Sequence, residues 1–101
     1  MKIGIFLNYV GLGSNLLHLS YCHQIANKYG PVTVVTLNSN LKMALNDDPL
    51  IKDVILVDGK NYKRLLDIID LSKELKKHSF EKLYIFYPSV RTFLAAKLAN
   101  I

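Results

Sequence analysis

Four short strand-like runs, Lys2 to Asn8, Val32 to Leu37, Asp53 to Val57 and Lys82 to Tyr87, are each followed by a stretch with helical periodicity. That alternation is the strongest constraint on the fold. A helix between two strands carries the chain back to the end where the first strand began, so the next strand enters in parallel, and the crossover is right-handed. The expected class is therefore α/β: a Rossmann-like parallel sheet with flanking helices in the order β-α-β-α-β-α-β-α, one domain spanning residues 1–101. The first run is almost continuously apolar rather than alternating, as a strand buried on both faces should be.

Local signals set the boundaries. A first helix is expected from about Asn15 to Tyr29, ended by Gly30 and Pro31. Asn38-Ser39-Asn40 supplies turn and capping chemistry for a short helix from Leu41 to about Asn46, closed by Pro49. Asp58 to Asn61 reads as a turn, and Leu65, Leu66, Ile68, Ile69 and Leu75 as the apolar stripe of a third helix. After Pro88 and Ser89, Val90, Phe93, Leu94 and Leu98 recur at helical spacing.

In such a sheet ligands bind outside the carboxyl ends of the strands. The first of those ends carries Gly11-Leu12-Gly13-Ser14-Asn15, a glycine loop opening a helix. Backbone N–H groups and the positive dipole end at such a place suit an anionic or phosphorylated ligand. A tight turn with no ligand would use the same glycines. A dinucleotide fingerprint is incomplete, because Leu16 stands where the third glycine belongs and the second strand ends at Asn38 rather than an acid. A P-loop is excluded, since no Gly-Lys-Ser/Thr follows.

Composition removes other classes. Half of the 101 residues are hydrophobic, which is ordinary for a globular domain, and no window of about 18 uncharged apolar residues could span a membrane. Lys2 is followed by too short an apolar run for a signal peptide, so a cytoplasmic location is expected. The single cysteine, Cys22, has no intramolecular partner and reads as a small buried hydrophobe. The net charge of +5 does not mark a nucleic-acid binder: Lys60, Lys63, Arg64, Lys73, Lys76, Lys77 and Lys82 are interleaved with Asp67, Asp70, Glu74 and Glu81, as on a solvated helix face. A weak attraction to anionic headgroups is compatible with it.

His18 and Cys22 share a helix face with His23 beside them, but zinc requires three or four converging ligands, so no metal site is expected. His18 also lies one helical turn after Ser14. It reads either as a base, or a group that orients the serine, or as a packed ring whose nitrogens are satisfied within the protein.

The run from Met1-Lys2-Ile3 through Gly11-Leu12-Gly13-Ser14-Asn15-Leu16-Leu17 resembles the opening of the ADP-heptose:lipopolysaccharide heptosyltransferase family, glycosyltransferase family 9. Asp48-Pro49-Leu50-Ile51-Lys52-Asp53-Val54-Ile55 is similar to its bend-then-strand segment, and Arg91-Thr92-Phe93-Leu94-Ala95-Ala96-Lys97-Leu98-Ala99 to its arginine-led small-residue helix.

The resemblance implies part of the N-terminal, acceptor-side domain of a two-domain GT-B enzyme, with the donor-binding C-terminal domain absent from these residues. It implies inverting sugar transfer without a required metal or other cofactor, from a nucleotide-sugar donor to a lipopolysaccharide or surface-glycan acceptor. Work at the cytoplasmic face of the inner membrane is also implied. Gly11, Gly13, Asn15 and Arg91 would then contact substrate, and Ser14 and His18 would be the catalytic candidates. Ser14 occupies the place of the family's basic aspartate. A serine hydroxyl cannot take a proton near neutral pH without a base of its own, so a non-catalytic α/β binding module stands as the alternative.

Overall fold

A computed structural model of the chain describes residues 2–9, 11–57, 65–86 and 90–99, without the side chains of 65–68, 70 and 90–93. The elements are β1 (Ile3–Leu7), α1 (Leu12–Leu17), α2 (Leu19–Tyr29), β2 (Val32–Thr36), α3 (Leu41–Ala44), β3 (Ile51–Leu56), α4 (Leu65–Lys77), β4 (Lys82–Phe86) and α5 (Val90–Leu98). The strands form an all-parallel sheet in the order β3-β2-β1-β4. The Rossmann-like α/β class read from the alternation is the fold observed.

β1 and β2 are central and every one of their residues is buried, which explains their unbroken apolar character. Ile3, Ile5, Leu7, Val32 and Val34 face Cys22 and Ala26 of α2 and Leu41 of α3. Phe6 and Val35 point the other way, toward Leu71 and Leu75 of α4 and Ala95 and Ala99 at the end of α5. The sheet is thus the middle layer between two helical layers. Gly4 has a packing reason: a Cβ there would lie 2.8 Å from the Phe80 ring and 2.9 Å from Leu83. Gly30 has a conformational one, with φ of 94° after the last turn of α2.

Three expectations are corrected. The first helix begins at Leu12, earlier than expected, and is broken at His18 into α1 and α2. The cause is local: the His18 ring nitrogen Nδ1 donates to the Ser14 carbonyl at 2.7 Å, the acceptor His18's own N–H would use in a continuous helix. That N–H turns to the Asn15 carbonyl at 3.2 Å instead, so a side chain has entered the hydrogen-bond ladder.

Second, Ile69 is exposed, and α4 buries Leu71, Ser72 and Leu75. Third, Leu94 and Leu98 of α5 are exposed while Ala95, Ala96 and Ala99 are buried. Small side chains let α5 approach closely, so among its described side chains the inward face is that of the alanines and not of Leu94 and Leu98. The expected turn at Asp58 to Asn61 and the break at Pro88 and Ser89 lie outside the described residues.

Candidate functional site at the carboxyl ends of β1 and β4

The chain proceeds from β1 to β2 to β3 on one side of β1 and then crosses to β4 on the other. That reversal opens a crevice between the carboxyl ends of β1 and β4, the place where open α/β sheets bind ligands. The glycine loop lines it. The Asn8 N–H donates to the Phe86 carbonyl at 3.3 Å, tying the two strand ends together beneath the crevice.

His18 lies beside these strand ends, its ring 5.7 Å from that of Phe86. The Ser14 carbonyl can only accept, so Nδ1 carries the proton and, in the neutral ring, Nε2 offers a lone pair. Nε2 accepts from the Tyr9 hydroxyl at 3.1 Å. The Tyr9 ring stacks on the imidazole with centroids 4.6 Å apart, and Tyr21 and Phe86 lie 6.0 and 5.7 Å from it. Three aromatic rings therefore hold one imidazole in one orientation. Tyr21 is half exposed while its ring also lies 5.8 Å from that of Phe86.

Ser14 and His18 are brought together, but through the serine's carbonyl and not its hydroxyl. Gly11 caps α1 with extended backbone, φ −73° and ψ 141°. A Cβ at Gly11 would make only an ordinary 3.9 Å contact with the Ser14 hydroxyl, and one at Gly13 would meet nothing within 4 Å. Neither the backbone nor the packing of this chain requires these two glycines. Their effect is to leave the exposed backbone bare at these two positions.

Asn15 does different work from the substrate contact expected of it. It is 1 % exposed, and its amide donates to the carbonyls of Tyr9 at 3.0 Å and Gly11 at 2.6 Å. Its own carbonyl accepts from the Thr36 hydroxyl at 2.7 Å, which in turn accepts from the Asn38 N–H at 3.1 Å. This buried network fixes the glycine loop to the end of β2. Each partner left unpaired by removing the amide would cost roughly 1–3 kcal/mol. Arg91 belongs to the first turn of α5 by its backbone, and its side chain lies outside the described residues.

The other candidates for chemistry turn away. Burial pushes the Cys22 thiol up to about 11, with the Asp48 charge adding to the effect against an opposing hydrogen bond from its own backbone, so it is no nucleophile near neutral pH. His23 Nε2 pairs with Asp48 Oδ2 at 2.6 Å, across to the loop before β3. Among the described residues no group of three or more His, Cys, Asp or Glu converges, and no helix is long and apolar enough to cross a membrane. Sequence reasoning missed Tyr9, Tyr21 and Phe86. The spacing of Tyr21 after His18 was a signal for one of them, whereas Phe86 is brought in only by the β1–β4 pairing.

No protein-family model matches the chain, and no curated protein does. Among solved structures, its fold is similar to that described as the glycosyl transferase family 9 from Veillonella parvula DSM 2008, with a TM-score of 0.67 and 20% sequence identity. The likeness covers 94% of this chain and 29% of that one, so the chain spans under a third of the length of the structure it matches. At that identity, what the two share is the fold.

Proposed function

We propose that this chain is the acceptor-side Rossmann-like domain of an inverting, nucleotide-sugar-dependent glycosyltransferase. The observation that carries the reading is the fold similarity, across nearly the whole chain, to a structure described as a glycosyl transferase. The arrangement of the crevice supports it. Donor binding belongs to a second domain. The donor is a nucleotide-activated heptose or related hexose, and the acceptor a lipopolysaccharide or other surface glycan presented at the cytoplasmic face of the membrane. Arg91, in the first turn of α5 by its backbone, is assigned to acceptor anions.

The chemistry requires an acceptor hydroxyl to lose its proton as its oxygen attacks the anomeric carbon. The C–O bond to the diphosphate breaks, and the leaving nucleoside diphosphate takes the electron pair. His18 Nε2 is the base, because its Nδ1–H is committed to the Ser14 carbonyl. Tyr9, donating to Nε2, must yield that position to the acceptor hydroxyl or pass the proton through its own oxygen. The bare backbone at Gly11 and Gly13 admits the acceptor close to the loop, and the exposed part of Tyr21 suits the apolar face of a sugar ring.

A second reading, a non-catalytic sugar-binding module, is favoured by one observation: both nitrogens of His18 are already satisfied within the protein. Amide chemical-shift mapping with phosphorylated glycan acceptors tests the shared part, with perturbation expected at Gly11, Gly13, Ser14 and Tyr21. Shifts confined to other surfaces would refute an acceptor crevice. The two readings separate when a donor domain is supplied: transfer lost in His18→Ala while acceptor binding persists supports the enzyme, and absence of transfer in the unsubstituted protein supports the module.

A further inference from the structure

On the α2 face of β2, Val32 and Val34 pack into the core and Thr36 follows them at the end of the strand. Thr36 is fully buried, and Asn15, which it meets, is almost so. Packing alone does not ask for this pair, because two buried hydrogen-bonded partners replaced by apolar groups of the same shape can be nearly neutral. What the pair adds is direction. Thr36 Oγ1 accepts the Asn38 N–H, and its own proton goes to Asn15 Oδ1 at 2.7 Å. The amide oxygen therefore faces Thr36, and both N–H bonds of the Asn15 amide face the carbonyls of Tyr9 and Gly11.

The Tyr9 end of this network leads to the imidazole. Tyr9 is gripped at both main-chain groups, its N–H by the Leu7 carbonyl at 2.8 Å and its C=O by the Asn15 amide at 3.0 Å. From that point its ring stacks on His18 and its hydroxyl reaches Nε2 at 3.1 Å. Asn15 holds the other partner too, because its main-chain carbonyl takes the His18 N–H at 3.2 Å. One buried residue thus sets the separation between the phenol and the ring on which it acts.

We propose that Asn15, locked by Thr36, is a positioning residue for His18, keeping the Tyr9 hydroxyl aimed at Nε2 until an acceptor hydroxyl takes its place. The catalytic consequence rests on the reading of His18 as the base. Misplacing a reacting group by about 1 Å costs on the order of a hundredfold in rate, so a rigid support beneath Tyr9 and His18 bears directly on transfer.

The test labels the histidines of the whole chain with 15N and follows the His18 Nε2 resonance at a pH where imidazole is neutral. Tyr9→Phe supplies the reference shift, toward a lone pair without a donor. Thr36→Val keeps the shape, deletes the hydroxyl and should reproduce most of that shift. Thr36→Ser keeps the hydroxyl and should reproduce none of it. Val35→Ala, on the opposite face of β2, should lower stability and leave the resonance in place. With a donor domain supplied, Thr36→Val should lower transfer about tenfold or more while acceptor binding persists.

A resonance that Thr36→Val leaves unmoved, that Thr36→Ser moves as far as Tyr9→Phe does, or that follows stability in Val35→Ala overturns the proposal. The unsubstituted chain gives a readout that needs no variant to fold: both Asn15 amide protons should exchange slowly with solvent, and rapid exchange of either also overturns it. A moved resonance in a chain that proves non-catalytic refutes the base and keeps the positioning. An unmoved one beside transfer that depends on His18 refutes the positioning and keeps the base.

Discussion

The sheet ends in two different ways. At the β3 edge, the pairing with β2 steps from Val32↔Ile51 to Thr33↔Asp53, leaving Lys52 as an extra residue in a bulge. Lys52 and Asp53 place opposite charges in mid-strand. Lys42 of α3 stands 3.8 Å from Asp53, and the Asp53 carboxylate takes the Val54 N–H at 2.8 Å. Charge, a bulge and a helix alongside are devices that discourage further pairing. At the β4 edge the register with β1 runs unbroken from Ile3↔Lys82 to Leu7↔Phe86, and the uncharged run Leu83 to Phe86 has no such device. Among the described residues, then, β3 carries a bulge and mid-strand charge while β4 keeps an unbroken, uncharged register.

Proline substitution separates the two sides of β4 most sharply. Tyr84→Pro removes an N–H directed at β1 and should cost about 3 kcal/mol or more, enough to unfold much of a small domain. Ile85→Pro removes an outward N–H and should cost about 1–2 kcal/mol, chiefly for the half-buried side chain. Urea unfolding of the two variants checks the difference. Equal losses would mean that the outward groups are engaged and that the edge is closed.

Gly4→Ala should have the next largest effect. Gly4 pairs with Leu83 across the β1–β4 ladder, and the Phe80 ring fills the space a side chain would need. Because that ring is itself buried, it has little room to yield, and a loss of about 1–3 kcal/mol is expected in the same unfolding assay. Gly13→Ala, with nothing within 4 Å of its new Cβ, should be nearly neutral. If Gly13→Ala proved the costlier of the two, the glycine loop would have a packing role that its geometry does not suggest.

What was legible in the sequence follows the physics of each signal. The central strands announce themselves because a strand covered on both faces must be apolar throughout, as Ile3 to Leu7 is. Gly30 marks the end of α2 because few other residues adopt its φ of 94°. The α5 face was misread because periodicity follows bulky apolar residues, and close packing there selects alanine. The break at His18 was not legible, since it arises from one side-chain hydrogen bond to a carbonyl. In the candidate site, Ser14 and His18 were visible by their one-turn spacing. Phe86 reaches them only through a long-range pairing that no local pattern encodes.

On the closed side, Asp48 secures the approach to β3. Its carboxylate accepts from the Leu50 N–H at 3.0 Å and meets His23 Nε2 at 2.6 Å. Burial opposes ionisation, yet these two partners outweigh it and hold the carboxyl below its ordinary value of 3.8. The folded state therefore releases this proton more readily than the unfolded chain. The resulting stabilisation is present above the ordinary carboxylate range and is lost as pH falls through the folded value. Asp48→Asn should cost about 1 kcal/mol near neutral pH, with the gap from the unsubstituted protein closing in acid. A gap that stayed constant as the pH fell far below the ordinary value of 3.8 would mean that the charge contributes nothing.

The smallest expected effect is a titration beside β4. The Tyr84 hydroxyl donates to the Tyr29 oxygen at 3.2 Å, and Lys82 donates to it at 3.1 Å. Tyr84 first and Lys82 second favour the phenolate, with Lys28 assisting and burial opposing, and together they bring Tyr29 down from 10.0 to about 8. Ultraviolet titration should therefore show an early phenolate among the six tyrosines. Because the folded value is depressed, its contribution to stability grows as pH rises from about 8 toward 10 and is absent below. Tyr84→Phe should move the early step most, and Lys82→Ala less. An early step that neither substitution moves would mean that these two contacts do not set the Tyr29 titration.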